Sequence, residues 1–171
     1  MYLIGNLWCE LQLIWNNPGE LVRIGTAITG TMAMAAFIVA CTSLWVQRGL
    51  AQKKAAIDFF LKTEMDHEML KAHRAYEDAV KLLQSAPDIK AFAASDDCKP
   101  IRAYLNVHEL LAVGVHKKVF HNKVSRGYWI AELERARTKC NRLIRHLKED
   151  PDEKVTYVEL VKLNSKWQRG W

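Results

Sequence analysis

An all-α fold, with one membrane-crossing helix ahead of an antiparallel helical bundle, is predicted by three features of the sequence. Ile24 to Val46 runs for 23 positions without a charged side chain. Beyond Arg48, apolar residues recur at intervals of three and four almost to the C-terminus, the spacing of an amphipathic helix. No segment alternates apolar and polar residues as a half-buried strand would, and there is no internal repeat or long low-complexity linker. The 171 residues divide accordingly into an interfacial helix over 1–20, a transmembrane helix over 24–46 and a cytoplasmic helical domain over 47–171.

In the first of these, Leu3, Ile4, Leu7, Trp8, Leu11, Ile14 and Trp15 fall close to the i, i+3, i+4, i+7 recurrence. Too short to span, this helix is expected in the outer interface with Trp8 and Trp15 at headgroup depth. Asn16-Asn17-Pro18-Gly19 reads as the turn that separates it from the span.

As a helix, the charge-free run would be about 34 Å long, enough for a hydrocarbon core of about 30 Å. A secretory signal has a shorter apolar stretch and a basic start, whereas about twenty mostly apolar residues precede this run. A buried core helix of this length would need a larger domain around it than the rest of the chain supplies. Gly25, Thr29, Gly30, Ala33, Ala36 and Ala40 place small side chains at three- to four-residue intervals, which allows close approach of a second helix in lipid. No ionisable group lies inside the run, which argues against a proton or ion path.

Charge sets the expected orientation. Arg23 is the sole basic residue before the span, whereas Arg48, Lys53 and Lys54 follow it closely and 24 of the 25 Lys and Arg lie on that side. The positive-inside rule then places the N-terminus outside and the C-terminal domain in the cytoplasm, with Trp45, Arg48, Lys53 and Lys54 at the inner interface. Four scattered cysteines, one of them in the span, form no disulfide framework or metal spacing.

Lys53–Lys62 reads as a helix continuing from the span, or just below it. Asp66 is expected to cap a helix carrying Met69, Leu70, His73, Tyr76, Val80 and Leu83 on one face. Pro87 stops it, and residues 87 to 99 form a loop with a short helical turn at Ile89–Ala93. The next helix starts near Pro100 and runs to about His116, with Ile101, Tyr104, Leu105, His108, Leu111, Ala112 and Val115 on one side. Arg102, Asn106 and Glu109 share another of its faces and suggest a local charge and amide ladder. A single long helix over Lys123–Lys148 carries the seam Trp129, Leu133, Ala136, Cys140, Leu143 and Leu147. Thr156 and Glu159 fit a capping box that opens a final helix reaching Trp167. Short loops between such helices favour an antiparallel bundle.

The order of the segments KKAAIDFFLK, DHEMLKAHRAY, IRAYLNVHELLAVGV, GYWIAELERARTKCNRLIRHLK and TYVELVKLNSKW resembles a bacterial family of membrane-anchored helical proteins known as domain of unknown function 4760. The likeness covers about residues 50–168, and its most specific part is Asn106 with Glu109, then Trp129 and the terminal tryptophan; Arg102 belongs to the same cluster. It implies a helical fold, a bacterial or prophage origin and a place in the inner membrane, and carries no activity or catalytic residue.

The chemistry points away from an enzyme. His108-Glu109-Leu110-Leu111-Ala112 begins like a zinc-protease motif, but Ala112 stands where the second histidine is needed. No phosphate loop, nucleophile elbow or Cys/His zinc spacing is present, so no cofactor is expected. Arg135, Lys139, Arg142 and His146 form a basic stripe that could meet anionic lipid headgroups. Nucleic acid is disfavoured, because no aromatic platform accompanies the stripe. The expected function is therefore a non-enzymatic single-pass protein that anchors an interaction domain in the bilayer, self-associating or joining a membrane-protein partner. The alternative is a membrane-perturbing effector of phage exclusion or abortive infection.

Overall fold

The computed structural model describes residues 18–150 and 156–170. They form seven α-helices and one 3-10 turn, with no strand among the described residues. The interfacial helix expected over 1–20, with Trp8 and Trp15, lies outside them apart from its last three residues. Those three open the first helix, α1 (Pro18–Met65), instead of forming a turn, a position where proline costs nothing because its missing N–H would be unpaired anyway. The chain divides between Arg48 and Gly49 into two compact units.

In the first unit the helix is apolar and uncovered. Met32, Phe37, Leu44 and Trp45 are 68, 65, 66 and 79% exposed. The hydroxyls of Thr26, Thr29 and Thr42 donate back to the carbonyls of Val22, Gly25 and Ile38 on their own helix. These three hydroxyls thereby need no partner outside their own helix.

The second unit begins with the last turns of α1, which bring Phe59 and Phe60 onto the core. Asp66 ends that helix in an extended conformation and starts α2 (His67–Ser85), its carboxylate accepting from the N–H groups of Glu68 and Met69 at 2.9 and 3.3 Å. After Pro87, Asp88 caps the short α3 (Ile89–Ala94), and a 3-10 turn (Asp96–Cys98) leads into α4 (Lys99–His116). Of the expected face of α4, Ile101, Leu105, His108, Leu111, Ala112 and Val115 are buried, whereas Tyr104 is half-buried. α4 is the central helix, packing against α2 on one side and against α7 (Val158–Gln168) on another.

The turn after α4 needs a glycine. Gly114 accepts from the N–H groups of Val119 and Phe120 at 2.8 and 3.1 Å, and a Cβ at Gly114 would stand 2.4 Å from two carbons of the Phe120 ring. Phe120 has little freedom to retreat, because its ring packs 5.2 Å from that of Phe59. Gly114→Ala is therefore expected to lower stability by about 1–3 kcal/mol, the usual cost of overpacking. A shift of the urea midpoint at unchanged m-value checks it.

Two expectations are corrected. The helix expected over Lys123–Lys148 is two helices, α5 (Asn122–Lys139) and α6 (Asn141–Glu149), broken at Cys140 with φ −100° and ψ 9°. The seam from Trp129 to Leu147 stays buried across the break, and beyond it Arg142 donates to the carbonyls of Ala86 and Pro87 at 2.7 and 3.0 Å. The bend thus ties α6 to the end of α2. Nor does the last helix start at a Thr156 capping box: α7 begins at Val158, after Tyr157 in the left-handed region at φ 59°, and has no side-chain cap of its own at that position.

Candidate functional site

The cap that α7 lacks locally comes from α4. Glu109 accepts from the N–H of Glu159 at 3.1 Å through Oε1 and from the N–H of Leu160 at 2.7 Å through Oε2. A carboxylate on two otherwise unpaired donors at a helix N-terminus gains both the hydrogen bonds and the favourable end of the helix dipole. His116 Nδ1 pairs with Glu159, and the Tyr157 hydroxyl donates to the carbonyl of Arg102 at 3.4 Å. At the other end of α7, the Trp167 indole N–H donates to Asn122 Oδ1 at 2.9 Å, and Arg126 donates to the Trp167 carbonyl at 3.0 Å. The Glu159 carboxyl lies below its usual range because Lys162 and then His116 donate to it.

The structure therefore reassigns the Arg102, Asn106 and Glu109 face. Glu109 is committed to α7, Arg102 contributes its carbonyl there, and Asn106 is exposed. Trp129, the fourth member of the group, is 4% exposed, its ring 5.5 Å from both Phe59 and Phe60. Sequence spacing brings Glu109 into view but cannot reveal its partner, which lies 50 residues away along the chain.

Much of the basic stripe is engaged within the chain. Arg135 pairs with Glu132 at 2.5 Å, Lys139 pairs with Glu77 of α2 at 2.9 Å, and Arg142 holds the two carbonyls after α2. His146 is half-buried beside Glu149 and Asp150, in a shallow surface depression.

In the first unit, Gly25, Thr29, Gly30, Ala33, Ala36 and Ala40 are exposed, and nothing lies within 4 Å of a Cβ built on Gly25 or Gly30. At about 100° per residue, five of the six cluster within roughly 80° of the helix circumference, with Gly30 about 60° further round. Trp45, Arg48, Lys53 and Lys54 are also exposed.

The second unit contains a cleft of about 220 Å³ between the end of α1, α2, α4 and α5. Its walls include Phe59, Tyr104, His108 and Trp129, and Glu64, His73 and Glu132 also line it. His108 lies 3.0 Å from the Tyr104 carbonyl through Nδ1. A carbonyl only accepts, so Nδ1 carries the proton and Nε2 of the neutral ring is an acceptor. That Nε2 is buried and has no hydrogen-bond partner.

Burial holds the His108 pKa below its ordinary value, against the opposing effect of its bond to Tyr104. A histidine whose folded pKa is depressed takes up protons more readily when unfolded. Its contribution is complete above the unfolded value near 6.5 and is lost as pH falls below it, with a slope of at most about 1.4 kcal/mol per pH unit. Urea midpoints measured at pH 7.5 and 5.5 should fall with acidity, and His108→Gln should flatten that slope; an unchanged slope would remove His108 from the account. Cys140, buried beside the Tyr76 hydroxyl at 3.8 Å, has its thiol pushed up to about 11 by burial. A thiol so rarely ionised is a poor nucleophile. Among the described residues no group of three or more His, Cys, Asp or Glu is placed to hold a metal ion.

A family model described as a domain of unknown function (DUF4760) matches residues 30–167. No curated protein and no solved structure matches the chain. The matched region begins at Gly30, so it takes in most of the charge-free run as well as the helical unit behind it.

Proposed function

We propose that this chain, which belongs to the DUF4760 family, is a non-enzymatic single-pass membrane protein that tethers a helical interaction domain to the bilayer and self-associates through its span. One observation carries the reading: α1 is long and apolar enough to cross a membrane, and its apolar stretch is uncovered by the rest of the described chain. A core helix of a soluble domain would have its apolar face covered by its own chain. Here large apolar side chains run uncovered along the first unit, and exposed apolar surface on that scale marks contact with lipid or protein.

The charge distribution supports a cytoplasmic helical domain, with Arg48, Lys53 and Lys54 beyond the span against Arg23 before it. The clustered small residues support a second copy as partner. Several polar side chains of the second unit support a docking body, because they hold helices together: Glu109 on α7, Lys139 on Glu77 and Arg142 on the end of α2.

Fractionation of expressing cells tests the tether. The full chain should remain in the membrane pellet after alkaline carbonate extraction, and removal of residues 24–46 should release it. A full chain that washes off at high pH would refute the reading. Strong expression should leave the membrane potential unchanged; depolarisation would favour a membrane-perturbing effector instead.

A further inference from the structure

We propose that the cleft between α1, α2, α4 and α5 is a binding site for a small organic cation with an aromatic or aliphatic body, an amine or quaternary ammonium of about the size of a phenylalkylamine. Size is the first argument. The cleft holds about 220 Å³, against about 150 Å³ for a cavity that accommodates benzene, so a ring and a short charged arm fit.

The second argument is the chemistry of the lining. Phe59, Tyr104 and Trp129 are among the lining residues; one face of Tyr104 is stacked on Tyr76 at 3.8 Å, and the rings of His73 and His108 lie 5.4 and 4.5 Å from it. The face of an aromatic ring attracts a cation, more strongly where water is excluded.

Charge supplies the third. Glu64 and Glu132 are among the lining residues, and no lysine or arginine is. Arg135 partly offsets Glu132 at 2.5 Å, whereas Glu64 makes no ion pair among the described residues. The Tyr104 hydroxyl is held above its ordinary range by burial first, and then by the negative charges of Glu132, Glu64 and Glu77, with the Arg135 guanidinium opposing them. His108 adds no opposing charge, because its burial favours the neutral ring. An anion would meet the carboxylates of Glu64 and Glu132, the second offset by Arg135, with no Lys or Arg in the lining itself, and a neutral apolar molecule would leave Glu64 unused. Complementarity therefore selects a cation.

Binding of benzyltrimethylammonium to the full-length protein in nanodiscs, followed by ligand-observed NMR, tests this. Its uncharged carbon isostere, neopentylbenzene, and the anion 3-phenylpropionate serve as comparisons. Saturable binding of the cation is expected, at least tenfold tighter than the isostere, with no binding of the anion. Glu64→Gln should weaken the cation by at least threefold without changing the isostere, and Ala103→Trp, placed at the exposed edge of the cleft, should abolish binding of both. Equal affinity for the cation and its isostere would overturn the proposal. So would absence of saturable binding, or binding that survives Ala103→Trp in a protein whose circular dichroism is unchanged.

Discussion

Replacing Glu109 with alanine is expected to cost about 2–4 kcal/mol and to loosen α7 before the rest of the helical unit. Hydrogen bonds to a charged group contribute about 1.5–3 kcal/mol each, and Glu109 makes two, to the N–H groups of Glu159 and Leu160. Their loss leaves the first turn of α7 without a cap, because Tyr157 provides none. Partial exposure of the carboxylate lets water recover some of the loss, which keeps the expectation below the full sum. Glu109→Gln retains one acceptor oxygen and should lose about half as much. The measurement is hydrogen exchange along α7 together with the urea midpoint: Glu109→Ala should raise exchange at Leu160 to Leu163 to a greater degree than at Leu105 to Ala112. A uniform rise, or a stability loss under about 0.5 kcal/mol, would show that α7 is held by its apolar face alone.

Trp129→Ala is the substitution with the largest expected effect, about 3–5 kcal/mol. The indole is 4% exposed and forms the contact between α5 and the last turns of α1, with Phe59 and Phe60 each 5.5 Å away and Tyr128 stacked on Phe60 at 4.4 Å. Truncation removes its apolar burial and leaves a void that those rings fill only partly. Trp129→Phe should recover more than half of the loss. Thermal unfolding of the detergent-solubilised protein checks both, and a fall of only a few degrees for the alanine variant would show that the neighbouring rings collapse into the space.

Local spacing made much of this fold legible. Asp66 and Pro87 punctuate the chain through their own backbone chemistry. The buried face of α4 and that of the second half of α2, at Tyr76, Val80 and Leu83, follow from residues three and four apart, whereas Leu70 and His73 on the same expected α2 face are exposed. The break at Cys140 was not legible, because neither proline nor glycine marks it; just beyond it Arg142 meets the end of α2. Thr156 and Glu159 satisfy the pattern of a capping box, yet the cap is supplied across the fold by Glu109. Likewise the basic stripe is visible as a run of charges, but its partners Glu77 and the carbonyls of Ala86 and Pro87 are 55 to 62 positions away along the chain. The cleft brings together residues of four helices, each of which reads alone as an ordinary core or surface position.

Length, lack of charge and an uncovered apolar surface in the first unit support the proposed membrane span. Cysteine scanning of the span in native membranes, in a Cys41→Ala background, tests the proposed assembly most directly. Oxidative crosslinking to a dimer should peak at positions 25, 29, 33, 36 and 40 and be weak at 31 and 38, which lie on the opposite side of the helix at about 100° per residue. A flat profile, or monomer at every position, would contradict self-association through this face.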